Sequence, residues 1–162
     1  MQRFTIRTIQ PTDNKGLAVI IRSALAEFGA NRPGTVYYEE TTDHLSGLFG
    51  GVPKSKYYIA LVDGELAGGG GIFPSEGLGE DTCELVKMYL HPQARGTGLG
   101  RRLIEKCLQF AGETGFRHVY LETMPELRKA LSVYEKFGFR YLDGPLGNTG
   151  HFGCGIWMLK DL

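Results

Sequence analysis

His91-Pro92-Gln93-Ala94-Arg95-Gly96-Thr97-Gly98-Leu99-Gly100-Arg101-Arg102 runs straight into an apolar segment of helical period while breaking the rules for starting a helix. Glycine in a helix costs about 1 kcal/mol relative to alanine. Cations at the positive end of the helix dipole are unfavourable by about 0.3–1 kcal/mol. Yet Gly98, Gly100, Arg101 and Arg102 crowd that end. A bound anion reverses the balance: bare backbone N–H groups, no Cβ atoms in the way and flanking guanidinium groups make a cradle for phosphate or pyrophosphate.

On either side of this turn the pattern is strand, turn, helix. Glu84 to Leu90 reads as the strand entering it, and Leu99, Leu103, Cys107, Leu108 and Ala111 mark the buried stripe of the helix leaving it, which Gly112 and Gly115 close. Upstream, Phe4 to Ile9 suggests an opening strand ended by Pro11. Residues 13–28 form an amphipathic helix, with caps offered by Thr12-Asp13-Asn14 and a stop at Gly29. A short helix is expected around Thr42 to Phe49. Tyr57 to Val62 and Glu65 to Phe73 pair through a tight turn at Asp63-Gly64, the second strand loosened by four consecutive glycines. Downstream come a strand over His118 to Thr123, a helix over Leu127 to Phe137 ended by Gly138, and closing strands at Phe139 to Leu142 and Ile156 to Leu159. Asp143 to Gly155 has no period. Strands that meet first in hairpins and then alternate with helices imply an α/β fold, a mixed sheet with helices on both faces.

A length of 162 residues predicts one domain, residues 1–162. With 18 basic and 18 acidic side chains the formal net charge is zero, which gives nucleic acid or a membrane surface no claim as main partner. An RNA or DNA module built on Arg95, Arg101 and Arg102 would also lack an interleaved aromatic stacking platform. The best apolar run, Leu17 to Ile21, is far short of the roughly 20 residues of a spanning helix, and the N-terminus has no apolar core long enough for a signal peptide, so a cytoplasmic location is expected. Cys83, Cys107 and Cys154 are odd in number and widely spaced, the pattern of reduced, partly packed thiols.

Two familiar nucleotide motifs fail. A P-loop needs a Gly-Lys pair, and the chain contains none. A dinucleotide fingerprint needs G-x-G-x-x-G, whereas Gly96, Gly98 and Gly100 are spaced G-x-G-x-G with Arg101 following. Gln93-Ala94-Arg95-Gly96-Thr97-Gly98 instead resembles the Q/R-x-x-G-x-G/A motif of the GNAT acyltransferase superfamily, between strand and helix as in that family. The resemblance extends to Pro11-x-Asp13, the central hairpin, the Glu84–Leu90 strand with His91-Pro92, and Tyr134-Glu135-Lys136-Phe137-Gly138-Phe139, which looks like the family's Y-E-K-x-G-F block.

That resemblance implies a mostly antiparallel sheet of about seven strands with a splayed parallel pair. It also implies an N-acetyltransferase that moves an acetyl group directly from acetyl-CoA to a primary amine. The cosubstrate's pyrophosphate would lie on Gln93, Arg95, Gly96, Thr97, Gly98, Leu99, Gly100 and Arg101, chiefly on their backbone N–H groups, and its pantetheine arm on the main chain of Met88 and Leu90. The family's cofactor-facing asparagine is replaced by Leu127. A tyrosine at the position of Tyr134 commonly protonates the departing sulfur in this family.

The strand offers Glu84 either as the base or as a strand-end carboxylate salt-bridged on the surface. Glu84 alternates with Val86 and Met88 on one face, and a carboxylate in so apolar a setting has a raised pKa suited to accepting a proton, directly or through a water. Glu122 on the neighbouring strand is the alternative, and a bulge would invert these facings. His44, His91, His118 and His151 are too scattered for a metal site, so no metal is expected. His151, with Asn148 and Thr149, either lines an acceptor pocket or belongs to a plain loop. Likewise Tyr37, Tyr38, Glu39 and Glu40 either attract an ammonium group or form a solvated segment. The acceptor amine, small molecule or peptide, is not specified by the sequence, and a late strand or Ile156-Trp157-Met158-Leu159 offers a homodimer surface. The competing reading is a catalytically silent acyl-CoA-binding sensor or scaffold.

Overall fold

A computed structural model describes residues 2–162. Its strands are β1 (Phe4–Thr8), β2 (Lys56–Val62), β3 (Glu65–Phe73), β4 (Thr82–Leu90), β5 (His118–Thr123), β6 (Arg140–Leu142) and β7 (Ile156–Asp161). They form one seven-stranded sheet in the order β1-β2-β3-β4-β5-β7-β6. Only β4 and β5 run parallel, and they pair at just three positions, Thr82 with His118, Cys83 with Val119 and Glu84 with Tyr120. Past Glu84 the two strands separate.

The helices are α1 (Asn14–Glu27), α2 (Leu45–Gly51), α3 (Leu99–Thr114) and α4 (Arg128–Lys136). Leu17, Ile21 and Leu25 of α1 and Leu45 and Phe49 of α2 pack with Tyr57, Ile59 and Val86 on one face of the sheet. Leu99, Leu103, Cys107 and Ala111 of α3 pack with Tyr134, Leu85, Val119 and Met158 on the other. The helical stripes legible in the sequence are thus the two halves of the core. The β2–β3 turn places Asp63 and Gly64 at φ +51° and +82°, the conformation that an Asp-Gly hairpin turn favours.

Asp13 and Asn14 do not cap α1 as expected. The Asp13 carboxylate accepts the Gln10 N–H at 2.7 Å and both guanidinium nitrogens of Arg7, while the Asn14 side chain binds Ser46 of α2. These polar groups join elements instead of finishing one. The expectation of a dimer surface at Ile156–Leu159 also changes. This segment is β7, hydrogen-bonded on one side to β5 and on the other to β6, with Met158 fully buried, so it presents no free edge. Cys83 and Cys107 are buried and Cys154 is half-buried, all as free thiols. Among the described residues no helix is long and apolar enough to cross a membrane.

Candidate active site

A bulge lies in β4 just past the point where it parts from β5. The register of β3 on β4 steps from Gly69–Tyr89 to Gly71–Val86, so that Lys87 and Met88 together oppose Gly70. Lys87 takes up the extra residue at φ +52°, a left-handed conformation uncommon for a non-glycine residue. The bulge corrects the simple alternation. Glu84 and Val86 do share a face, but Met88 is turned to the opposite one, against the α3 side of the core, and Tyr89 packs on the α1 side.

A cavity of about 420 Å³ opens on the α3 face beside this gap. Met88, Leu90, Arg95, Gly96, Gly98, Gly100 and Arg101 line one wall, and Leu127, Val133 and Tyr134 line the other. Of the residues read as cofactor-binding, Gln93, Thr97 and Leu99 lie outside this lining. Gln93 is exposed, Leu99 is in the core, and the Thr97 hydroxyl donates to the Ala94 carbonyl at 2.6 Å, folding the turn. Helix α3 begins at Gly98, at φ +86°, with no side-chain cap and no acidic residue in its first turn. The Leu99 N–H meets the Thr97 hydroxyl at 3.4 Å, and the N–H groups of Gly100 and Arg101 find no partner among the described residues.

The arginines divide their work. Arg95 is committed: its guanidinium pairs with Glu27 at 2.6 Å, donates to the Leu90 carbonyl at 3.0 and 3.2 Å, and lies over the Phe28 ring. It therefore shapes the turn more than it offers a free charge. Arg102 lies over Phe4 on the outside of the sheet. Arg101 is an exposed cation at the cavity mouth, paired with Glu105 one turn on, and the exposed Arg128 and Lys129 line the other wall.

On the opposite face, Glu84, Glu122, His151, Lys87, Val36 and Cys154 surround a small polar pocket of about 30 Å³. Leu85, Lys87, Tyr89 and Glu122 border both cavities, so the two meet at the gap. Glu84 is 3% exposed, and burial lifts its pKa to about 7, partly offset by the hydroxyl of Ser75, which donates to Oε1. Glu122 is kept below the ordinary carboxylate range: burial is outweighed by bonds from His151, Thr149 and Tyr120. His151 approaches Glu122 at 3.1 Å through Nδ1 and Glu39 through Nε2. Burial disfavours its charge, but the two carboxylates prevail and raise its pKa to about 9. Glu39, drawn down to about 2 against its own burial by His151 and Lys87, also receives the Lys87 ammonium at 2.9 Å.

This charged row takes one residue from each of the two loops, His151 and Glu39, while Tyr38 and Glu40 are exposed. His151 sits in the pocket wall, and Glu39 stands behind it, bonded to His151 and Lys87. The polar groups of Glu84, Glu122 and His151 lie within 4.8 Å of one another, an arrangement that the scatter of histidines along the sequence concealed. Both ring nitrogens of His151 engage carboxylates, Nδ1 that of Glu122 and Nε2 that of Glu39. Reasoning from sequence missed Ser75 and Lys87 as partners, while Thr149, grouped there with His151, donates to Glu122. The aperiodic, Gly- and Asn-rich run from Asp143 to Gly155 was the available signal for a loop that closes a site.

A sheet that parts between two parallel strands, with an uncapped helix start on one side and a buried carboxylate on the other, is the frame of a transferase that joins two substrates across the gap. The sequence profile described as the acetyltransferase (GNAT) family matches residues 19–139, and the chain belongs to that family of acyltransferases. It is 38% identical to the uncharacterized N-acetyltransferase YjgM of Escherichia coli, over 100% of this chain and 94% of that one. In fold it is similar to a GNAT-family acetyltransferase from Staphylococcus aureus, with a TM-score of 0.86 at 17% identity over 98% and 99% of the two chains. It is also similar to the PaiA N-acetyltransferase of Thermoplasma acidophilum, whose structure is a complex with coenzyme A, with a TM-score of 0.73 at 18% identity over 99% of each chain. The expected mixed sheet with its splayed parallel pair is the observed one.

Proposed function

We propose that this chain, acting as one cytoplasmic domain, transfers an acetyl group from acetyl-CoA directly to a primary amine. The observation that carries the reading is the meeting of the two cavities at the β4–β5 gap, with Tyr134 on one side and Glu84 on the other. The larger cavity suits the donor. Its mouth offers the free N–H groups of α3, and a Cβ at Gly96 or Gly98 would meet no atom within 4 Å, leaving the backbone open to a phosphate. The separated edge of β4 offers main-chain groups of Met88 and Leu90 to an extended amide chain. Leu127 contributes an apolar wall where the family places an asparagine.

When bound, acetyl-CoA supplies a thioester whose acyl carbon is the electrophile. The chain's own residues then handle two protons. The Glu84 carboxylate, poised near neutrality, takes one from the acceptor nitrogen, directly or through a water, and the Ser75 hydroxyl favours the ionised form that does so. Tyr134, whose phenol burial keeps protonated, gives one to the departing sulfur. Glu122, tied to three donors and held ionised, orients the acceptor's ammonium and is the weaker candidate for base.

The test is purified protein with acetyl-CoA and a panel of amines, with released thiol followed. Turnover with at least one amine is expected. Coenzyme A binding with no turnover across a broad panel would favour the silent sensor, and absence of coenzyme A binding would overturn the assignment of the larger cavity.

A further inference from the structure

The run Gly68-Gly69-Gly70-Gly71 reads as slack in a strand, yet it lies in the middle of the sheet beside the bulge. Tyr57 of β2 explains it. Strand β3 separates β2 from β4, so a side chain of β2 reaches the backbone of β4 only by crossing β3. The Tyr57 ring makes that crossing over Gly69 and Gly71. A Cβ at Gly69 would come within 2.5 Å of its Cε1 and 2.8 Å of its hydroxyl, and a Cβ at Gly71 within 2.7 Å of its Cδ2. At the far end the hydroxyl donates to the Lys87 carbonyl at 2.7 Å. Tyr57 is fully buried, so that bond satisfies a phenol with no access to water.

The acceptor is the carbonyl of the bulged residue, which the bulge removes from the regular ladder. On the reverse face Gly70 does the complementary work: a Cβ there would collide with Sδ and Cε of Met88. The glycines thus form a saddle, Tyr57 on one side and Met88 on the other.

We propose that Tyr57 is a positioning residue for acetyl transfer: its hydroxyl pins the Lys87 carbonyl, holding the bulge that turns Met88 toward the donor cavity and parts β4 from β5. The same bond sets the root of the Lys87 side chain, whose ammonium reaches Glu39 and through it His151 and Glu122. One buried hydroxyl therefore serves both faces of the site. The proposal rests on the reading of the larger cavity as the acetyl-CoA site.

Tyr57→Phe keeps the ring on its glycine saddle and removes only the bond. Calorimetric titration with coenzyme A should show affinity weakened about five- to tenfold, the effect of one buried hydrogen bond. Hydrogen exchange should quicken about tenfold at the amides of residues 86–90 and stay unchanged at 82–85. Gly70→Ala, which displaces Met88 without touching Tyr57, should weaken coenzyme A binding in the same direction. A lower Tm with unchanged affinity and unchanged exchange in Tyr57→Phe would overturn the proposal, leaving Tyr57 a packing residue. Failure of the unaltered protein to bind coenzyme A would sink the cavity assignment alone, since the exchange contrast still decides whether Tyr57 holds the bulge.

Discussion

Glu84 and Tyr134 stand on opposite faces of the sheet, one on each side of the gap between β4 and β5. Burial raises the pKa of both, with opposite consequences. The carboxyl is brought to about 7, where it exchanges protons readily, and the phenol is pushed beyond the working range, so that it enters the reaction protonated. Glu84→Gln should lower kcat by about 10²–10⁴-fold at pH 7. In the unaltered protein the rate should climb as pH rises through about 7 if the ionised carboxyl is the base, as proposed. The deficit of the variant should shrink at higher pH, where the amine loses its proton unaided. A deficit constant from pH 6 to 9 would remove Glu84 from the role of base.

Tyr134 also packs edge-on to Phe139, with ring centroids 5.8 Å apart. Tyr134→Phe preserves that contact and deletes the proton. Steady-state kinetics should show kcat reduced about 10²-fold with the KM for acetyl-CoA changed less than about threefold. Equal loss in both constants would mark a packing role.

His151 bears on both catalysis and stability. Its cation lowers the Glu84 pKa, alongside Ser75 and Lys87, while Glu122 raises it. His151→Gln should therefore move the acidic limb of the pH–rate profile above 7, and an unmoved limb would mean that His151 only fills space. Its folded pKa of about 9 lies above the ordinary 6.5, so the stabilisation it brings is fully present below pH 6.5 and lost as pH rises through about 9. For Glu39 the sign is reversed: its contribution is present above pH 4.5 and lost as pH falls through about 2. Thermal melts should show Tm falling between pH 7 and 10 in the unaltered protein and falling less in His151→Gln.

At Gly98 the start of α3 requires φ +86°. Gly98→Ala should cost about 1–2 kcal/mol of stability from the left-handed backbone alone. Its methyl group faces the cavity mouth, so coenzyme A affinity should fall about tenfold, measured by titration on protein that remains folded. Unchanged affinity would show that the turn does not carry the phosphate.

Local chemistry made much of this fold readable. The stripes of α1 and α3, the Asp63-Gly64 hairpin and the glycine stops at 115 and 138 are short-range signals, and each element lies within a few residues of where they place it. The parting of β4 from β5 was suggested by family likeness, but its mechanism was not legible, because a bulge depends on what lies across the neighbouring strand. Glu84 and Tyr134 were marked by position in a motif or on a strand. His151 and Glu39 were not resolved, since their partners lie 29 and 112 residues from His151 and its loop has no period. The glycine run was visible and its meaning was not, for it records the shape of Tyr57 on another strand.

Because Leu85, Lys87, Tyr89 and Glu122 border both cavities, the sheet works as a partition with a window. Reactants that reach such a window from opposite sides do not queue at one mouth, and neither must depart before the other arrives. With donor and acceptor in the two cavities as proposed, loading should follow no compulsory order, and initial rates with both reactants varied would check it.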